Sequence, residues 1–267
     1  MMNEKNRRGA FAVLFAALML WIVTAAAGTA GAAADKTVEL GKKVFEKNCV
    51  ICHGPKGDGK GLVGIIHRVQ KKGSVHDIFP RDFTTGVFRF RTTPTGCLPT
   101  DDDLLKVVNA GISRAYMPSF EDVSLNDRKA VIQYIKTFAA KRNWAEESAD
   151  ASCKPLAVNK PAFVGSPDST EKGKQLYKQM KCWECHGEQG RGDGPKSDKL
   201  KDDWGDKVLP FDFTTGATKL GFSPQNVFTA YSTGLDGSGM PSYEDSMSEQ
   251  DRWHLVSYTL VLMGRVK

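Results

Sequence analysis

The chain carries one plan twice: residues from about 38 to 140 recur, with gaps, from about 170 to 264. The landmarks keep their order. Cys49-Val50-Ile51-Cys52-His53-Gly54 answers Cys182-Trp183-Glu184-Cys185-His186-Gly187, and Gly57-Asp58-Gly59 answers Gly192-Asp193-Gly194. Then Asp82-Phe83-Thr84-Thr85-Gly86 matches Asp212-Phe213-Thr214-Thr215-Gly216, and Met117-Pro118-Ser119-Phe120-Glu121-Asp122 matches Met240-Pro241-Ser242-Tyr243-Glu244-Asp245. Four landmarks in one order imply a duplicated domain. The division read from the sequence is a leader at 1–34, a first domain at 35–142, a linker at 143–169 and a second domain at 170–267. The linker holds Pro155, Pro161, Gly165 and Pro167 with few periodic apolar residues.

Each copy reads as helices joined by long irregular loops, an all-α class. Residues 38–48 and 171–181 lead as helices into the cysteine motifs, with Val44 and Phe45, or Leu176 and Tyr177, facing inward. A middle helix starts at Thr100 or at Ser223-Pro224 and stops at Gly111 or Gly234. The last helix starts with Ser124-x-x-Asp127 or Ser248-x-x-Asp251. Val131, Ile132, Ile135 and Phe138, or Leu255, Val256, Thr259 and Leu262, follow at helical spacing.

Cys-x-x-Cys-His suits covalent haem attachment: two thiols three positions apart on a helical turn can bond the two vinyl groups, and the next imidazole lies beneath the iron. A cysteine pair alone also fits a thioredoxin-like dithiol or half of a zinc site. A single four-thiolate zinc site made from both pairs uses neither His53 nor His186, and it leaves the repeated methionine unexplained. Haem uses every repeated feature. Met117 and Met240, each before a proline and after the middle helix, are the candidates for the sixth ligand, because a thioether is a soft neutral donor. His67, His76 and His254 have no counterpart in the other copy and read as loop, surface or packing residues.

On these motifs the chain resembles the class I c-type cytochromes, in their tandem two-domain dihaem form, over nearly all of 38–264. The resemblance implies two all-α domains, each a few helices wrapped around a covalently bound haem c. It implies attachment through Cys49 and Cys52, and through Cys182 and Cys185, with iron ligated by His53 and Met117 and by His186 and Met240. It further implies that the first and last helices cross near Gly41 and Tyr134, and near Gly173 and Tyr258. A proline carbonyl, from Pro80 or Pro210, would hold the proximal imidazole. The implied function is electron transfer between a redox donor protein and an acceptor protein, without catalysis. The alternative is a cytochrome subunit of a respiratory dehydrogenase or reductase complex, including a membrane-bound one. A dihaem peroxidase is disfavoured, since it needs one open iron and both copies keep the methionine.

Lys5, Arg7 and Arg8 precede an apolar run at 11–23 and a small-residue stretch ending in Ala32-Ala33-Ala34, the order of a secretory signal peptide. Export to the periplasm is the expectation, with a retained membrane anchor as the alternative. Cys97 and Cys153 remain after the motif cysteines. In an oxidising compartment they suggest a disulfide tying the linker to the first domain, if their Cα atoms come close enough. Residues 35–142 carry 19 Lys and Arg against 12 Asp and Glu, or +7, and residues 143–267 carry 15 against 18, or −3. This asymmetry either steers the two halves to different partners or is ordinary solvated surface. Acidic residues interleave the Lys-rich stretch 196–207, which reads as solvated surface and, with export, argues against a nucleic-acid partner.

Overall fold

The computed structural model describes residues 34–69, 75–112, 115–216, 221 and 223–266. Apart from Ala34, the leader lies outside these residues. The first copy runs α1 (34–48), α2 (Val50–His53), α3 (Asp101–Ala110) and α4 (Leu125–Phe138), and a short α5 (Trp144–Ala149) follows it. The second copy runs α6 (Pro167–Gln179), α7 (Trp183–His186), α8 (Pro224–Thr233) and α9 (Glu249–Leu262). Among the described residues the fold is all-α but for a small antiparallel hairpin in the first copy, β1 (Ile66–Val69) paired with β2 (Val75–Ile78), which helical periodicity could not reveal.

The caps lie where Ser, Thr and Pro place them. Thr100 accepts from the Asp103 amide while the Asp103 carboxylate accepts from the Thr100 amide, so two otherwise unpaired donors of α3 are satisfied. Ser124, Ser223 and Ser248 do the same work for α4, α8 and α9 by accepting from Asp127, Asn226 and Asp251. α6 begins four residues before the expected start, because Ser166 accepts from the Ser169 amide and Pro167 fits the first turn. α5 also lies within 143–169, where Trp144 donates its indole N–H to the Lys136 carbonyl and meets Phe88 edge-on. That stretch is therefore partly helical rather than irregular throughout.

In each copy the first and last helices cross at a glycine. A Cβ on Gly41 would lie 2.1 Å from the Ala130 carbonyl oxygen and 2.9 Å from Tyr134 Cβ. One on Gly173 would lie 2.0 Å from the His254 carbonyl oxygen and 2.9 Å from Tyr258 Cβ. No other residue allows the two backbones this close, and the expected crossings stand. Phe45, Val131, Ile132 and Ile135 make the first core with Phe83, Phe88, Leu98 and Leu104. Tyr177, Leu255 and Val256 make the second with Phe213, Val227, Phe228, Tyr231 and Trp253. Burying side chains of this size stabilises each domain by about 1.5–3 kcal/mol apiece.

Cys97 and Cys153 form a disulfide, with Cα atoms 5.5 Å apart, and Leu156 donates its amide to the Thr92 carbonyl, so the segment after α5 returns to the first domain. Beside it the two copies meet through charge. Arg89 pairs with Asp202 at 3.0 Å, Arg91 pairs with Asp236 at 2.7 Å, and Asp236 accepts from Thr95 and from the Gly96 amide. Part of the charge asymmetry is thus spent inside the molecule, where the basic copy meets the acidic one. The stretch 196–207, expected to be solvated surface, supplies Asp202 to this boundary because its chain turns back there through the Lys201–Lys207 bridge.

Candidate functional site

Each cysteine motif begins where its first helix ends. The Cys49 amide donates to the Phe45 carbonyl, four residues back, whereas the Cys182 amide donates to the Tyr177 carbonyl, five back. The second copy absorbs its extra residue by turning Lys181 into the left-handed region, φ 56°. Both motifs then make one helical turn, in which the His53 and His186 amides donate to the carbonyls of Cys49 and Cys182. The two thiols and the imidazole of each copy therefore stand on one turn.

Both imidazoles are held in the same way. His53 Nδ1 lies 3.1 Å from the Arg81 carbonyl oxygen, and His186 Nδ1 lies 3.1 Å from that of Phe211. The expectation of Pro80 and Pro210 is off by one residue. The Pro80 and Pro210 carbonyls turn instead toward Gly59 and Gly192, and the next carbonyl along the chain faces the ring. Each imidazole also stacks on a phenylalanine, His53 on Phe83 at 4.5 Å and His186 on Phe213 at 4.7 Å. Burial lowers the pKa of both histidines against the carbonyl bond, which favours the neutral form a metal needs.

Burial also pushes the Cys49 and Cys182 thiols up to about 11, opposite to the low-pKa thiolate of a reactive dithiol. Among the described residues no three His, Cys, Asp or Glu side chains converge as a metal-binding group, so the two pairs do not build a shared four-thiolate site.

The glycine loop after the motif needs one correction of register. The Gly59 amide donates to the His53 carbonyl and the Gly192 amide to the His186 carbonyl, so Gly57-Asp58-Gly59 corresponds to Gly190-Arg191-Gly192. Matching the letters Gly-Asp-Gly slid the alignment by two positions.

Met117 and Met240 close equivalent loops. Ile112 and Met117 exchange backbone hydrogen bonds, and the Leu235 amide donates to the Met240 carbonyl. Behind each methionine the loop is pinned to the middle helix. The Phe120 and Tyr243 amides donate to the Val108 and Tyr231 carbonyls, and the Ser119 and Ser242 hydroxyls donate to those of Asn109 and Ser232. Cys182, Trp183 and Met240 pack against the second core, and Cys49 and Val50 against the first, while Met117 is half-buried and outside that cluster. Of the other histidines, His254 is buried with Nδ1 2.8 Å from the Ser169 hydroxyl, and His67 Nδ1 lies 2.6 Å from Asp77. The side chain of His76 lies outside the described residues.

Comparison with known proteins matches each copy to a cytochrome c model. The model of the cytochrome c family matches residues 170–262, and the model described as cytochrome c oxidase, cbb3-type, subunit III matches residues 36–135. A chain of the Kuenenia stuttgartiensis reducing HAO-like protein complex Kustc0457/Kustc0458 superposes with a TM-score of 0.74 at 35% identity, covering 86% of this chain and 96% of that one. No curated protein matches. The chain belongs to the class I c-type cytochromes. It is a tandem two-domain cytochrome c with two covalently bound haem c groups, and it carries electrons.

Two features of the cytochrome escaped the sequence reading. The stacking partners Phe83 and Phe213 lie in the repeated Asp-Phe-Thr-Thr-Gly landmark, whose duplication was visible but whose role was not. The landmark Ser-x-x-Asp also continues into Arg128 and Arg252. Arg128 donates to Asn109 on α3, and Arg252 lies 5.4 Å from the Phe228 ring on α8, so the same position ties the last helix to the middle one in both copies.

Proposed function

We propose that this cytochrome is an exported electron carrier in which iron is held by His53 and Met117 in one domain, spanning 35–142, and by His186 and Met240 in the other, spanning 170–267. The duplicated bond from imidazole Nδ1 to a backbone carbonyl carries this reading. With Nδ1 committed to Arg81 or Phe211, Nε2 is the nitrogen left for a metal, and its basicity is raised by the bond behind it. The donor set fits haem: two thiols on a helical turn for the vinyl groups, a neutral imidazole and a loop-borne thioether. Bound there, haem supplies a one-electron couple whose potential methionine ligation raises.

The chain's own residues do the rest. Phe83 and Phe213 keep the imidazole planes fixed, the pinned loops hold the methionines, and the apolar cores keep water from the site. With an imidazole and a thioether from each domain holding its haem iron, no position would be left for substrate, which supports a carrier over a peroxidase. Export to the periplasm is supported by the leader, and no helix among the described residues is long and apolar enough to cross a membrane.

The likeness to a chain of a redox protein complex supports a second reading of the partner question, a cytochrome subunit resident in an oxidoreductase assembly. Beside the first cysteine motif, Ile51, Val63, Ile65 and Phe79 are exposed, and Leu62 is 92% exposed, an apolar surface suited to contact with a redox protein. Far-red methionine-to-iron absorption tests the ligation: both haems should show it, and M117H and M240H should each remove one share. A band lost in neither variant overturns the assignment of both methionines.

A further inference from the structure

Between the two haem domains stands Trp204, at the tip of a turn in the second domain. The Asp202 carboxylate builds that turn by accepting from the Trp204 amide at 3.1 Å and the Asp206 amide at 2.9 Å, while it reaches across the boundary to Arg89. The indole is therefore positioned by the same group that joins the domains. On one side the Arg81 guanidinium of the first domain lies 4.8 Å from the ring centroid. On the other side the ring edge lies on Gly237, where a Cβ would come within 2.4 Å of Trp204 Cη2 and 3.3 Å of Val87 Cγ1. Glycine at 237 is what admits the ring.

These two neighbours belong to the two sites. Arg81 is the residue whose carbonyl faces His53 Nδ1. Gly237 sits in the loop that the Leu235 amide closes on the Met240 carbonyl, and Arg89 donates to the Gly237 carbonyl from the first domain at 3.2 Å. The contacts run without a gap from His53 through Arg81, Trp204 and Gly237 to the Met240 loop. We propose that Trp204, 40% exposed but with its ring against Arg81 of one domain and Gly237 of the other, is the electron bridge through which an electron passes from one iron to the other. The inference rests on the two-haem carrier reading above and adds the route.

One electron leaves the iron of one domain, which is oxidised by one unit, and arrives at the iron of the other, which is reduced by one. No bond is made or broken and no proton moves. Tunnelling falls off more steeply across empty space than through atoms in contact, so an aromatic ring that touches Arg81 on one side and Gly237 on the other speeds the exchange. Trp204 acts as a medium rather than as a stop. A cation over its face is attracted to the ring and opposes removal of an electron from it.

The test uses the full dihaem protein, half-reduced, with exchange between oxidised and reduced haem-methyl resonances read by NMR magnetisation transfer. W204L should slow the concentration-independent exchange by about tenfold or more, as losing a positioned contact does, while W204F stays near the native rate. Dipolar coupling between the two ferric centres, measured by EPR, reports the spacing and should not change in either variant. Native exchange rates in W204L overturn the proposal. So does slowing that tracks a longer spacing, which makes Trp204 a spacer alone. A native protein with both far-red bands and no intramolecular exchange removes the premise that the domains share electrons, and leaves the ligation untouched.

Discussion

Arg91 of the first domain reaches Asp236 of the second at 2.7 Å with its own side chain fully buried. The guanidinium also donates to the carbonyls of Phe88, Pro94 and Thr233, so it ties its own loop and the end of α8 together. In Asp236→Asn the arginine stays in a dry site without its counter-charge, at a cost of about 3 kcal/mol or more. Arg91→Met costs less, because Asp236 is 19% exposed and keeps Thr95 and Gly96. Denaturant unfolding should show native domains melting together and D236N domains melting in two steps.

At the helix crossing of the second domain, Gly173→Ala places a methyl 2.0 Å from a backbone oxygen that has nowhere to go. Separating α6 from α9 should cost about 3 kcal/mol or more. The expected result is that the common transition splits, with the second domain melting well below the first. The mirror experiment, Gly41→Ala, should do the reverse.

His254 gives the second domain a pH dependence. Its pKa is lowered from 6.5 by burial and by Lys172, against the pull of Asp251, and it sits against Ser169 and the Phe163 ring. A histidine that binds its proton less readily when folded contributes its full stability above the unfolded value. That stability is lost as the pH falls below it. The thermal stability of the second domain should therefore fall as the pH drops through about 6.5 and below. The slope should flatten in His254→Gln, and an unchanged slope would assign the acid sensitivity elsewhere.

The residues proposed for the site stood out because duplication printed them twice. Cys49 to His53, Met117 and the helix caps could each be checked against a second copy, and the crossing glycines followed from the family resemblance. What stayed hidden has physical reasons. The carbonyl that holds His53 belongs to Arg81 rather than Pro80, because backbone direction at one residue is set by the loop and not by residue type. The Gly-Asp-Gly match misled because glycine spacing from the histidine, not letter identity, sets which amide meets the His53 or His186 carbonyl. The boundary contacts of Arg81, Arg91, Trp204 and Asp236 have no repeat to reveal them, since each copy supplies only one side of the interface.

The surroundings of the two sites differ in ways that separate their potentials. In the second domain the Tyr231 hydroxyl bonds Thr259 at 2.6 Å and the Tyr243 hydroxyl interacts with the Cys182 sulfur. Val108, Ile135 and Phe120 occupy the matching places in the first. Less polar surroundings and a net +7 on residues 35–142 both favour the less charged, reduced iron there. Spectroelectrochemical titration should resolve two transitions with the first domain at the higher potential, and Tyr243→Phe should narrow the gap. One unsplit transition contradicts this.

Mass spectrometry of the purified protein, followed by peptide mapping, goes to the centre of the account. Two haem adducts are expected, one on the peptide containing Cys49 and Cys52 and one on the peptide containing Cys182 and Cys185. A single adduct, or none, from cells with a working haem-attachment system contradicts it.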